Sequence, residues 1–149
     1  MRAVVQRVSR ASLLIDGEPA GSIGQGLVVL AGFRDEDGPA QVEWMTAKVL
    51  GLRVFPDEAG NLNRALEEID GGLAIVPNFT LYGDCRKGRR PSFTDAARPE
   101  TASPLYDGLV ERLRGSGRPV VAGKFGAHMH VELVNDGPVT LIIDRGPGE

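Results

Sequence analysis

The chain has 149 residues, 42% hydrophobic and 25% charged, with a formal net charge of −3; it reads as one domain, residues 1–149, able to bury about two-thirds of its unfolded surface. No apolar run approaches the roughly 18 residues of a membrane span, and Gln6, Arg7 and Arg10 break any charged-then-apolar leader, so a cytoplasmic protein with no membrane partner is expected. The single Cys85 excludes an internal disulfide and a cysteine-based zinc site, and the acidic balance excludes a protein coated in positive charge for general nucleic-acid binding.

Arg2 to Val8 reads as a first strand. Ala11 to Ile15 and Glu18 to Ile23 form a hairpin across Asp16-Gly17. Leu27 to Gly32 is nearly all apolar, as in a central strand. Pro39 opens a helix with Val42, Met45 and Val49 at helical spacing, and Gly51 closes it. Leu52 to Phe55 is a short strand, followed by turn chemistry from Pro56 to Gly60. Leu73 to Leu81 is a buried strand with Pro77 inside it, which means an edge or a bulge. A long loop runs on to Arg98, and loops of such length are often functional. Pro99 opens a second helix with Leu105, Leu109 and Leu113 on one face, stopped by Gly115. Val120 to Ala122, His128 to Val134 and Val139 to Asp144 supply the last strands. Asn135-Asp136-Gly137-Pro138 between the final two reads as a hairpin turn on its Asp-Gly step. The strand-rich order lacks a regular βα alternation, so the fold class is α+β.

Candidate chemistry is sparse. His128, His130 and Glu132 share one face of a strand, but Met129, Val131 and Leu133 alternate with them as an ordinary core face would. No third metal ligand is identifiable, so no metal is expected. Cys85 beside Arg86 and Lys87 would have a lowered thiol pKa, but no histidine stands near it in sequence. Thr80 as a nucleophile would need a base, and none is apparent; a β-branched strand residue is the plainer reading. Arg86, Lys87, Arg89 and Arg90 put four cations within five residues. They form either a solvated loop or a local patch for an RNA end.

Several ordered motifs resemble the D-aminoacyl-tRNA deacylase family. They are Ala3-Val-Val-Gln-Arg-Val8, Arg10-Ala-Ser12, Gly24-Gln-Gly-Leu-Val-Val-Leu30 and Val49-Leu-Gly-Leu-Arg-Val-Phe55. Leu73-Ala-Ile-Val-Pro-Asn-Phe-Thr-Leu81, Cys85-Arg-Lys-Gly-Arg-Arg-Pro-Ser-Phe93, Leu105-Tyr106-Asp107 and Asn135-Asp-Gly-Pro-Val-Thr140 complete the set. One departure stands out: the family's Ser-Gln is Pro77-Asn78 here. The resemblance implies a strand-rich, barrel-like core with two main helices outside, assembled as a homodimer. It implies an esterase for D-aminoacyl-tRNA, and for glycyl-tRNA, that needs no cofactor or metal and does not act on DNA. The backbone at Phe79 and Thr80 would face the ester, with the tRNA 2′-hydroxyl assisting. Asn78 and Met129 would lie at the substrate, and Arg86, Lys87, Arg89 and Arg90 on the acceptor end of tRNA. Gly137-Pro138, held by Arg7, would enter the partner subunit's pocket and crowd out an L-amino acid. Pro77 keeps a related deacylase of mischarged L-aminoacyl-tRNA as an alternative. A non-enzymatic RNA-end binder and a purely structural dimer are the others.

Overall fold

The computed structural model describes residues 1–149. The two apolar runs at the start fuse into one long strand, β1 (Arg2–Ile15). It turns through Asp16 and Gly17, both at positive φ (49° and 83°), into β2 (Glu18–Ile23). Two successive positive-φ residues are what a two-residue hairpin needs. The central strand β3 (Gly26–Gly32) runs antiparallel to the first half of β1. Helix α1 (Pro39–Gly51) follows as the spacing requires, burying Val42, Met45 and Val49. Gln41 reaches back to accept from the Gly38 N–H at 2.8 Å.

The strand expected at Leu52–Phe55 lies later. Its pairing begins at β4 (Phe55–Pro56), which joins β5 (Leu62–Arg64) in a small separate sheet. Next, β6 (Gly72–Pro77) lies parallel to β3, and β7 (Val120–Ala122) parallel to β6. Between them, α2 (Pro99–Gly115) buries Ala102, Tyr106, Leu109, Val110 and Leu113. The last strand, β8 (Met129–Asp144), occupies one edge of β1 along nearly its whole length. β2 and β3 therefore share the other edge of β1, one after the other.

β2 in turn comes close to β7: a Cβ on Gly21 would stand 3.0 Å from the Val121 side chain. The sheet is a nearly closed barrel. A small cluster of Val8, Ala11, Ile23, Val28 and Ala74 packs on one face. The larger core joins the other face to both helices, through Val5, Leu27, Val29, Leu73 and Ile75 against Met45, Val49, Tyr106, Leu109 and Leu113. Each fully buried aliphatic side chain contributes about 1.5–3 kcal/mol relative to exposure. No helix is long and apolar enough to cross a membrane.

Two expectations need correction because they fall where the chain's function is sought. The hairpin at Asp136-Gly137 does not form. Both flanking runs pair with β1, Thr140 opposite Gln6 and Asn135 opposite Val8, so the intervening residues bulge out over Arg7. A hairpin requires the two runs to pair with each other, and β1 outcompetes that by offering one template to both. Asn135 closes the bulge: its Oδ1 accepts from the Val139 N–H at 2.8 Å, and its Nδ2 donates to the Val139 carbonyl at 3.1 Å. The second correction is that the strand drawn to Leu81 stops at Pro77. Phe79–Tyr82 is a short 3₁₀ helix.

Candidate active site

Pro77 ends β6 opposite Ala31 on β3. It has no N–H to continue the ladder. The next residue turns out of the sheet while its own N–H still donates to the Ala31 carbonyl at 2.8 Å. Asn78 then caps the 3₁₀ helix. Its Oδ1 accepts from the Thr80 N–H at 3.1 Å and from the Thr80 hydroxyl. Because an N–H can only donate, the Asn78 oxygen must face Thr80, and its Nδ2 is left without an intramolecular partner. The Phe79 N–H likewise has none.

The backbone of Phe79 and Thr80, expected to face the ester, does not offer two equivalent N–H groups. The Thr80 amide is spent on Asn78, so the free donors are the Phe79 N–H and the Asn78 Nδ2. Gly32 allows the helix to lie directly on the end of β3: a Cβ there would sit 3.0 Å from the Asn78 carbonyl and 3.4 Å from the Tyr82 ring.

Asn78 and Phe79 face a cleft of about 490 Å³, within the range for small-ligand sites. Its walls come from three separate stretches: Pro77, Asn78 and Phe79; Phe93, Ala96, Ala97 and Pro99; and Phe125, Gly126, Ala127 and Met129. The Phe79 and Phe93 rings meet edge to face at 5.2 Å. Tyr106 braces the back of the site from α2. Its hydroxyl donates to the Gly123 carbonyl at 2.7 Å and lies 3.1 Å from that of Ile75, which ties together the ends of β6 and β7. Burial raises the Tyr106 hydroxyl pKa, so it stays protonated at neutral pH. No ionisable side chain lines the cleft. Nowhere in the chain do three or more His, Cys, Asp or Glu residues converge; His128 and His130 face each other edge to face on the exposed side of the strand.

The other residues singled out from sequence lie elsewhere. Asp84 and Ser92 pair across a loop that holds Cys85 and all four cations, and Phe93 of the cleft wall follows directly. Arg86 is committed to Asp84 at 2.7 Å, and this partner pulls the Asp84 carboxyl down to about 2. Lys87, Arg89 and Arg90 are exposed and carry no ion pair. Cys85 is free and exposed.

Gly137 and Pro138 do not line the cleft of their own chain. Met129 and Asn135 are separated along β8 by roughly 20 Å at 3.3 Å per residue. The Gly137–Pro138 peptide is cis, and Arg7 lies beneath it. Arg7 Nε donates to the Asp136 carbonyl at 2.9 Å, and Nη1 to that of Val54 at 2.8 Å. Sequence reading passed over Ala96, Ala97, Phe125, Gly126 and Ala127. Only the glycines bracketing Lys124-Phe125 hinted at a chain reversal there.

The near-closed α+β barrel with a cleft at the end of β6 is a known class of fold. A solved structure described as c-Myc DNA Unwinding Element Binding Protein superposes with a TM-score of 0.90 at 41% identity, covering 98% of this chain and 99% of that one. A second, described as a probable eukaryotic D-amino acid tRNA deacylase, shares the fold with a TM-score of 0.81 at 20% identity, covering 97% and 98%. The sequence model of D-Tyr-tRNA(Tyr) deacylase matches residues 4–144, and the chain belongs to that family. Relatives named D-aminoacyl-tRNA deacylase include those of Symbiobacterium thermophilum, 57% identical over 97% of this chain and 95% of that protein, and Opitutus terrae, 54% identical over 97% of each. That of Thermotoga petrophila is 51% identical, again over 97% of each.

Proposed function

We infer that this chain is a D-aminoacyl-tRNA deacylase, a hydrolase that cleaves the ester joining a D-amino acid to tRNA. Its family membership and its relatives over nearly the whole length support the activity. The observation that carries the mechanism is a cleft with free backbone and amide donors but no ionisable side chain. Such a site has nothing to serve as general base. It can align the ester, and it can stabilise the oxyanion that forms as water, positioned by the tRNA 2′-hydroxyl, adds to the carbonyl. In our reading the Phe79 N–H and the Asn78 Nδ2 receive that oxygen. The C–O bond to the ribose 3′-oxygen then breaks, and this oxygen takes up the proton given up by the attacking water, which releases the amino acid and tRNA. Met129 and the Phe93 and Phe125 rings contain the amino-acid side chain. Thr80 acts through its bond to Asn78.

The chirality filter is proposed to be Gly137-Pro138 of a second copy, since the bulge stands too far along β8 to reach its own cleft. β8 supports a homodimer: Ile142 leaves 69% of its surface exposed on that strand, a cost that a partner packed against it would remove. A wedge of glycine and proline rejects an L-side chain by crowding, and glycyl-tRNA, with no side chain to reject, also passes. In this reading Lys87, Arg89 and Arg90, with Arg86 beside them, contact the tRNA acceptor end, which their exposure and the lack of an ion pair at the first three support.

A second reading, hydrolysis of mischarged L-aminoacyl-tRNA, rests on Pro77-Asn78, where proline removes a donor that serine would keep. Deacylation of D-Tyr-tRNA, L-Tyr-tRNA and Gly-tRNA side by side decides between them: D and glycyl esters are cleaved and the L ester is spared. Thr80→Ala and Cys85→Ser retain activity within about tenfold, whereas an amide-to-ester replacement at Phe79 lowers kcat by about 100- to 1000-fold, the usual loss for one oxyanion donor. A well-folded but inactive Thr80→Ala protein refutes this mechanism.

A further inference from the structure

The 3₁₀ helix that presents the Phe79 N–H spans only Phe79–Tyr82. A segment so short has little stability of its own and takes its position from what grips it. Asn78 and Gly32 fix its upstream end, as described above. The downstream end meets Arg2. Arg2 Nη1 donates to the Leu81 carbonyl at 3.1 Å. Its Nε and Nη2 make a two-pronged contact with the Asp144 carboxylate, at 2.8 and 3.1 Å. The same guanidinium lies 5.2 Å from the centroid of the Tyr82 ring, and that of Arg34 lies 4.9 Å from it. Tyr82 is buried, at 7% exposure, while its hydroxyl reaches the surface and bonds to no group of the protein, so the ring and not the phenol makes these contacts. One side chain thus joins the start of β1, the end of β8 and the end of the helix.

We propose that Arg2, Tyr82 and Arg34 form a clamp that positions the Phe79 helix at the cleft, making Arg2 and Tyr82 positioning residues for deacylation. The proposal rests on the reading of the Phe79 amide as an oxyanion donor. A guanidinium suits the task because its planar fork can hold a carboxylate and a carbonyl at once while lying over an aromatic ring. Its separation from the cleft means that the clamp acts on the geometry of the donor and not on substrate affinity.

The test compares Tyr82→Phe, Tyr82→Leu, Arg2→Gln and Arg2→Lys for kcat, KM and amide hydrogen exchange. The probes are the Leu81 and Gly83 amides, which bond to Asn78 and Thr80 within the helix. Tyr82→Phe keeps the ring and is expected to match the parent. Tyr82→Leu and Arg2→Gln should exchange faster at both amides and lose about tenfold in kcat with KM within about twofold, because a reacting group displaced by a fraction of an ångström costs rate. Arg2→Lys, which cannot hold Asp144 and the Leu81 carbonyl together, should fall between. Unchanged exchange, unchanged kcat in the Leu and Gln variants, or a Phe variant as impaired as Leu overturns the clamp. The exchange readout does not depend on the chemistry. Faster exchange together with an unimpaired Phe79 ester variant therefore places the failure in the donor assignment.

Discussion

Removing the Arg7 guanidinium should loosen the bulge that carries Gly137-Pro138, with a measurable cost in stability. Arg7 is one of few buried charged residues, at 9% exposure. It spans two segments that no strand pairing joins: the Val54 carbonyl ahead of β4 and the Asp136 carbonyl in the bulge, at 2.8 and 2.9 Å. A hydrogen bond from a charged donor contributes about 1.5–3 kcal/mol. The Asp136 carboxylate, 3.7 Å away and half exposed, adds little through solvent. Arg7→Met keeps most of the aliphatic packing and loses both bonds, so about 3–6 kcal/mol should disappear. For a chain near 150 residues each kcal/mol moves the midpoint by about 2–4 °C, which gives a fall in Tm of about 6–24 °C. Arg7→Lys reaches one carbonyl at most and should lose about half as much. Thermal melts followed by circular dichroism measure the first effect. The ratio of D-Tyr-tRNA to L-Tyr-tRNA deacylation measures the second, and it should fall further in Arg7→Met than in Arg7→Lys. A Met variant that melts within about 2 °C of the parent and keeps its D-to-L ratio would refute the bracing role.

Gly137 has φ at 145°, and an added Cβ would sit 2.7 Å from the Val139 nitrogen and 2.9 Å from its side chain. Gly137→Ala should therefore cost about 1–3 kcal/mol and lower D-ester turnover, checked by urea denaturation and deacylation assays. The Asp84 carboxyl should titrate near 2 by NMR and return toward 3.8 in Arg86→Ala. Because its pKa is depressed in the fold, the Asp84–Arg86 pair supports the loop fully above pH 3.8, and that support disappears as pH falls through about 2. Arg89→Ala with Arg90→Ala should weaken tRNA binding and reduce the salt slope by about one unit for each phosphate left without its cation; an unchanged affinity and slope would make the loop a solvated surface.

Local chemistry was enough for the elements that close on themselves. Asp16-Gly17 demands its hairpin, Pro39 and Gly51 delimit α1, and Pro99 and Gly115 delimit α2. In each case the determining interactions lie within a few residues, where propensity and pattern act. Long apolar runs likewise announced β3 as a central strand and β6 as a buried one, but Pro77, read as the mark of an edge or a bulge, instead ends a strand that lies between β3 and β7. The bulge at Asn135–Val139 was not legible, because its residues satisfy a hairpin equally well. The choice belonged to β1, more than a hundred positions away in the chain, which pairs with both flanking runs. The cleft was only partly legible for the same reason. Asn78, Phe79 and Met129 stood out, but Ala96, Ala97 and Ala127 are featureless in sequence and become a wall only when three distant stretches converge. Arg7 shows the limit most clearly: a cation near the start of a strand belongs in water by default, and only the tertiary structure supplies the two carbonyls that make its burial favourable.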